Sequence, residues 1–244
     1  MKKAKDKKAK DKIVKDKIIY DGVKVAILID GGFYRKRASI AFGNKSPKDR
    51  ARELDQYCKR HLTEMINGVP HEHDLYRIFY YDCPPAQKAV FNPVTKSNTE
   101  LSKSETYMWA TAFFEELKRQ RKYAVRLGEL SDAELGYYLS PQKTKEVILG
   151  RLKPEDIKTE DLRLMLTQKG VDMRIGIDIA SMVFKKQVNQ IVLISGDSDF
   201  VPASKLARRE GIDFVLDPLG AKVRDNLLEH IDGLNTPDAS FQNK

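Results

Sequence analysis

Apolar and polar positions along the chain switch repeatedly between a period suited to strands and one suited to helices. "VKVAILID" (23–30) is an apolar run rich in β-branched residues that ends in Asp-Gly-Gly, the pattern of a central parallel strand leaving the core through a tight turn. Residues 48–66 follow with Leu54, Tyr57, Leu62 and Met65 at helical spacing, and "DLYRIFYYD" (74–82) reads as a second strand stopped by Pro84 and Pro85. A polar stretch (86–103) leads into a predicted helix over 104–121, with Met108, Ala112, Phe113 and Leu117 on one face, and "YAVRLGEL" (123–130) is a third strand. The pattern blurs over 131–168, where "EVILGRL" reads as a strand and "TEDLRLMLTQ" as a short helix, and this region is expected to be an insertion. It sharpens again with a helix from Asp172 to Lys186, the strand "QIVLIS" (190–195), a helix over 200–210, the strand "IDFVLD" (212–217) and a closing helix over 221–231.

Strands alternating with helices imply an α/β fold, a parallel sheet with helices on both faces. In such sheets ligands sit beyond the carboxyl ends of the strands, at the point where the strand order reverses. That rule locates the acids. Asp30 ends the first strand, while Asp197 and Asp199 follow the fourth, in "VLISGDSDFVP" (192–202). Asp172 and Asp178 lie on the helix leading into that strand. Asp172 in a first helical turn also complements the helix dipole without chemistry, and a strand-end Asp often caps the next helix. Asp178, flanked by Ile177, Ile179 and Ala180, is expected to point toward packed structure, where an unpaired carboxylate is costly. Like charges about 4 Å apart repel by ~1 kcal/mol in water and ~4 at an intermediate dielectric, so convergent acids call for a cation between them. Oxygen-only ligands favour Mg²⁺ or Mn²⁺ over zinc.

Charge adds a second feature. The 244-residue chain carries a formal net charge of +9, and residues 1–17 hold nine Lys against three Asp, so most of the excess sits in one short arm. The arm lacks the apolar segment of a secretory signal and reads as a solvated extension or an electrostatic contact for nucleic acid. No run of 18 apolar residues occurs. Cys58 and Cys83 stand far apart without a second pair at metal spacing, which suits a reducing cytoplasm. "HEHD", with His71 and His73, reads as a solvated loop before a strand.

"ILIDGGF", "KGVDMRIGIDIA" and "VLISGDSDFVP", in that order, resemble the NYN domain of PIN-like nucleases, most closely the bacterial LabA-like branch, over roughly residues 24–217. The resemblance implies a Rossmann-like (PIN-like) sheet and Mg²⁺- or Mn²⁺-dependent cleavage of RNA by Asp30, Asp178, Asp197 and Asp199, with Asp172 as a further metal ligand. Phe33 departs from the pattern, since many relatives carry Asn three residues after the first Asp. The implied organisation is a basic extension (1–22), a nuclease domain (23–235) and a C-terminal tail (236–244).

Metal-assisted phosphodiester hydrolysis needs oxygen ligands, an activated water and stabilisation of the leaving oxygen, which acids and ions supply together. Substrate contacts are expected in "GGFYRKR" and beside the acids: Gly31 and Gly32 for close backbone approach, Phe33 or Tyr34 to stack a base, Arg35 for phosphate, with Lys169 and Ser195 adjacent. Phe33 and Tyr34 read equally well as core residues of the first helix. Single-stranded RNA is the expected partner. A nucleic-acid-binding protein that keeps the acids without cleaving is the alternative. A phosphatase of the haloacid dehalogenase type is a distant third, because it needs "DxD" after the first strand and Asp30 is followed by Gly31 and Gly32.

Overall fold

The computed structural model describes residues 19–241. Most of the basic extension and the last three residues therefore lie outside the described residues. Strand β1 (Ile19–Asp30) begins inside the segment expected to be extension, pairing Ile19 with His71 and Tyr20 with Glu72. It runs directly into helix α1 (Gly31–Phe42), without the tight turn that Asp-Gly-Gly suggested, because the Asp30 side chain itself caps that helix.

A seven-stranded, mainly parallel sheet organises the chain. Strand β1 lies at its centre between β3 (Val69–Asp82) and β9 (Gln190–Ile194), and β9 is followed outward by β10 (Asp213–Asp217) and the short β11 (Gly233–Leu234). The far edge of β3 is shared by β2 (Thr63–Ile66), antiparallel to its first half, and β6 (Tyr123–Leu127), parallel to its second. Chain order reverses on either side of β1, so the β1–β9 crevice is the switch point at which a ligand is expected.

Successive residues of β1 serve two cores. Val25, Ile27 and Ile29 face α1, α2 (Pro47–Arg60) and α3 (Glu105–Lys118), with Tyr34, Leu54, Tyr57 and Phe113 buried among them. Ala26 and Leu28 face α5 (Val171–Phe184) and α6 (Val201–Arg209) through Ile175, Ile179 and Ala207. An unbroken apolar run is what a strand buried on both faces requires.

Several local expectations are corrected. The helix expected over 48–66 stops at Arg60, and Thr63–Ile66 turns back as β2. His71 and His73 lie within β3 rather than before it, and His73 is buried with its ring against Glu64. The polar stretch 86–103 contains a hairpin of β4 (Ala89–Asn92) and β5 (Ser97–Glu100), and its alternating burial replaces the apolar run by which a strand is usually recognised. The segment 123–130 is divided at Gly128, after which β7 (Glu129–Leu139) leaves the main sheet.

Over 131–168 the two readings are exchanged. "EVILGRL" ends helix α4 (Pro141–Ile148), which Ser140 caps and Pro141 starts, while "LRLMLTQK" is strand β8 (Leu162–Lys169), antiparallel to β7. The closing helix shrinks to α7 (Asp225–Leu228), because no side chain caps its start and the preceding chain stays irregular, with Leu219 and Val223 anchored in the cores.

Gly31 fixes the junction of β1 and α1. A Cβ there would stand 2.5 Å from the buried Tyr80 ring and 2.6 Å from the Tyr81 carbonyl oxygen. Its small size thus serves packing inside the fold. Gly31→Ala is expected to lower stability by about 1–3 kcal/mol, the usual cost of overpacking a core. Urea unfolding checks this, and an unchanged midpoint would contradict it.

Candidate acidic site at the sheet edge

Asp30 occupies the carboxyl end of the central strand. One of its carboxylate oxygens accepts the Phe33 backbone N–H (3.1 Å) and the other accepts the Ser195 hydroxyl (3.3 Å). Its pKa is pushed up to about 6, chiefly by burial, with Asp172 and Asp82 adding repulsion and the two hydrogen bonds opposing the rise. Ser195 is fully buried and also accepts the Asp197 N–H (3.3 Å), so one hydroxyl ties the end of β1 to the loop after β9.

Asp197 caps a short 3₁₀ turn (Ser198–Phe200), accepting the Asp199 N–H at 3.0 Å, and both acids are exposed. Asp172 sits in the first turn of α5, which starts from Gly170 in a left-handed conformation without a side-chain cap. Asp172 is exposed, but partial desolvation holds its carboxyl above its ordinary pKa, and Asp197 and Asp199 push it further in the same direction. Asp30, Asp172, Asp197 and Asp199 are therefore electrostatic neighbours on one edge.

Asp178 has its own partners. Its carboxylate accepts the Tyr81 hydroxyl (2.8 Å) and pairs with Arg126 (3.3 Å), fastening α5 to β3 and β6. The expectation of an unpaired acid on this helix is corrected: the cation that relieves it is a side chain from a strand 52 residues earlier, at a separation no local pattern reveals.

The structure adds an acid that sequence reasoning passed over. Asp82 ends β3, next to the end of β1, and is buried. It pairs with Arg35 (3.0 Å) and accepts the Cys83 N–H (2.8 Å) and the Tyr80 hydroxyl (3.2 Å). Burial raises its pKa despite these partners. The signal was present, since "DLYRIFYYD" ends in Asp at the same edge as "VKVAILID".

The other expected contacts divide. Tyr34 is buried with its hydroxyl on Glu53 (3.1 Å), which removes it as a stacking surface. Phe33 is half-buried, and its ring covers Gly196 so closely that a Cβ there would lie 2.8 Å from it. The residue standing where relatives carry Asn thus acts as an apolar cover over the 195–196 turn. Gly32 and Arg35 are partly exposed beside the acids, and Lys169 is exposed at the end of β8.

A hard divalent cation suits this edge chemically, because its donors are carboxylate oxygens and the main influences on Asp30 and Asp172 among the described residues are desolvation, repulsion from other carboxylates and, for Asp30, hydrogen bonds, with no salt bridge to either. Among the described residues, however, no three His, Cys, Asp or Glu side chains gather around a single metal position. The four carboxylates share an electrostatic neighbourhood without forming a closed cage.

The matched family model is the NYN domain, over residues 101–224, a stretch that contains Asp172, Asp178, Asp197 and Asp199 but not Asp30. No curated protein matches the chain. A solved structure of a protein of unknown function from Vibrio parahaemolyticus is similar at 14% identity and a TM-score of 0.45, covering 90% of this chain and 96% of that one.

Ionisation of Asp30 opposes folding. Its folded pKa of about 6 lies above the ~3.9 of an unfolded aspartate, so its favourable contribution is complete below pH ~4 and is lost as the pH rises through 6. Asp30→Asn keeps a capping residue and removes the charge. With chelator present, the variant is expected to match the wild type in stability near pH 4 and to exceed it by roughly 2–3 kcal/mol at pH 7.5. Urea unfolding across that range is the check, and a variant less stable at pH 7.5 would make Asp30 a net stabilising cap.

Proposed function

The chain belongs to the NYN domain family, and from that premise we propose that it is a metal-dependent endoribonuclease of the bacterial LabA-like branch. NYN proteins are generally nuclease-like hydrolases that use divalent metals. The observation that carries the reading is the shared edge of Asp30, Asp172, Asp197 and Asp199, where burial and mutual repulsion raise the pKa of Asp30 and Asp172. The domain is taken to run from β1 to β11, since β1, which supplies Asp30, is the centre of the sheet to which the matched segment contributes β6, β9 and β10. The pair β7–β8, with α4 between its strands, is an excursion from that domain.

In this reading Asp30, Asp172, Asp197 and Asp199 would hold Mg²⁺ or Mn²⁺. A bound ion supplies charge stabilisation for the phosphoryl group and a water of lowered pKa. The chain's own residues fix the acids: Ser195 and the α1 N-terminus orient Asp30, and the turn after β9 presents Asp197 and Asp199 to solvent. Asp178 acts as a positioning residue that holds α5 in place through Tyr81 and Arg126. Single-stranded RNA is the proposed substrate and the cytoplasm the proposed setting, consistent with two free, buried cysteines. No helix among the described residues is long and apolar enough to cross a membrane. A protein that binds nucleic acid without cutting it is the second reading, favoured by the open spacing of the carboxylates.

The test is incubation of the purified protein with labelled RNA and DNA, with Mn²⁺ or with chelator. Cleavage of RNA is expected with Mn²⁺ only, and Asp172→Asn and Asp197→Asn are each expected to lower it by roughly 10²-fold or more without loss of stability. Asp178→Asn is expected instead to cost about 1 kcal/mol of stability with a smaller effect on rate. RNA bound but left intact would favour the second reading. Asp178→Asn inactive at unchanged stability would return that residue to the metal.

A further inference from the structure

Beside the acid edge lies a cavity of about 430 Å³ between the end of α1, the loop after it and the first turn of α3. That size falls within the ~300–1,000 Å³ range of ligand pockets. Arg35, Ser39, Asn44, Lys45, Glu105 and Trp109 are among its lining residues. Arg35 connects it to the site above, because the same guanidinium pairs with Asp82, whose charge acts on Asp30.

Trp109 is prepared as a flat surface. Its indole N–H donates to the Lys45 carbonyl (2.8 Å), which satisfies its one polar atom and fixes the ring's orientation. Phe113 stacks on it with centroids 4.9 Å apart and planes at 21°, so the ring is supported on one side while its remaining surface lines the cavity. Lys45 and Arg50 share a single carboxylate, Glu53, which leaves that cluster with excess positive charge at the cavity wall. Glu105 at the rim opposes a bare anion, so the combination suits a ligand with both a planar ring and a phosphate.

We propose that this cavity is a nucleotide subsite, in which one nucleotide of a single-stranded RNA next to the scissile bond lays its base on Trp109 and its phosphate near Arg35 and Lys45. The proposal rests on the reading of the acid edge as a nuclease centre. Base–aromatic stacking tolerates any sequence, because every base has a π-face.

Trp109 is the only tryptophan in the chain, so its emission reports on this cavity alone. The full-length protein is titrated in chelator with a short oligoribonucleotide carrying a fluorescent label, following Trp109 emission and the anisotropy of the RNA together. Emission is expected to change saturably along the same isotherm as anisotropy, and Trp109→Leu is expected to weaken binding roughly tenfold by anisotropy. Lys45→Ala, a partly exposed side chain whose loss should leave the fold intact, is expected to weaken binding several-fold.

Anisotropy that rises while Trp109 emission stays constant and Lys45→Ala binds normally would overturn the subsite and leave the nuclease reading untouched. Inorganic phosphate or a free mononucleotide changing the emission at the concentration that suffices for the oligomer would also overturn it, as a site for small anions. Emission that follows RNA binding in a protein that never cleaves with Mn²⁺ would remove the nuclease reading and, with it, the placement of this nucleotide beside a scissile bond. RNA that binds by neither readout would overturn both.

Discussion

The burial of one carboxylate at the end of the central strand sets the terms for the rest of the structure. Asp30 cannot move away from the core, because β1 is hydrogen-bonded on both sides and both its faces are packed. Its charge is stabilised by one backbone amide and one hydroxyl, which offset only part of the cost of leaving water. Nearby elements then bring further acids instead of a cation: β3 ends in Asp82, α5 starts at Asp172, and β9 leads to Asp197 and Asp199. A fold that accepts this arrangement gives up stability at this edge.

The surrounding residues distribute cations selectively. Arg35 goes to Asp82 and Arg126 to Asp178, while among the described residues Asp30 and Asp172 have no such ion pair. Two acids are thereby paired with a cation, and the others keep more of their repulsion. The same division explains why Asp178 and Asp172, six residues apart on one helix, have different parts: one faces Tyr81 and Arg126, the other lies near Asp197 and Asp199.

Much of this was legible in the amino-acid pattern. Strands β1, β3, β9 and β10 announce themselves as apolar runs because both their faces are buried, and the rule that ligands sit at the carboxyl edge located Asp30, Asp197 and Asp199. Strand β8 was hidden because it pairs only with β7 in a mostly exposed two-stranded sheet, so its Leu162, Leu164 and Leu166 alternation competed with a helical reading. Tyr34 and Phe33 were ambiguous because a helix start next to a site contains both core and surface positions. The Asp178–Arg126 pair was out of reach, since tertiary ion pairs leave no local signature. Asp82 was within reach, for it obeys the rule that identified Asp30.

Mn²⁺ binding, followed by titration calorimetry at pH 6 in two buffers of different ionisation heat, tests the central claim that the acid edge is a charge deficit completed by a divalent cation. At that pH Asp30 is about half protonated, so uptake of the ion is expected to release roughly half a proton from this residue alone, and Asp172→Asn is expected to weaken binding. Absence of Mn²⁺ uptake at millimolar concentration, or uptake without proton release and unchanged by Asp172→Asn, would contradict it.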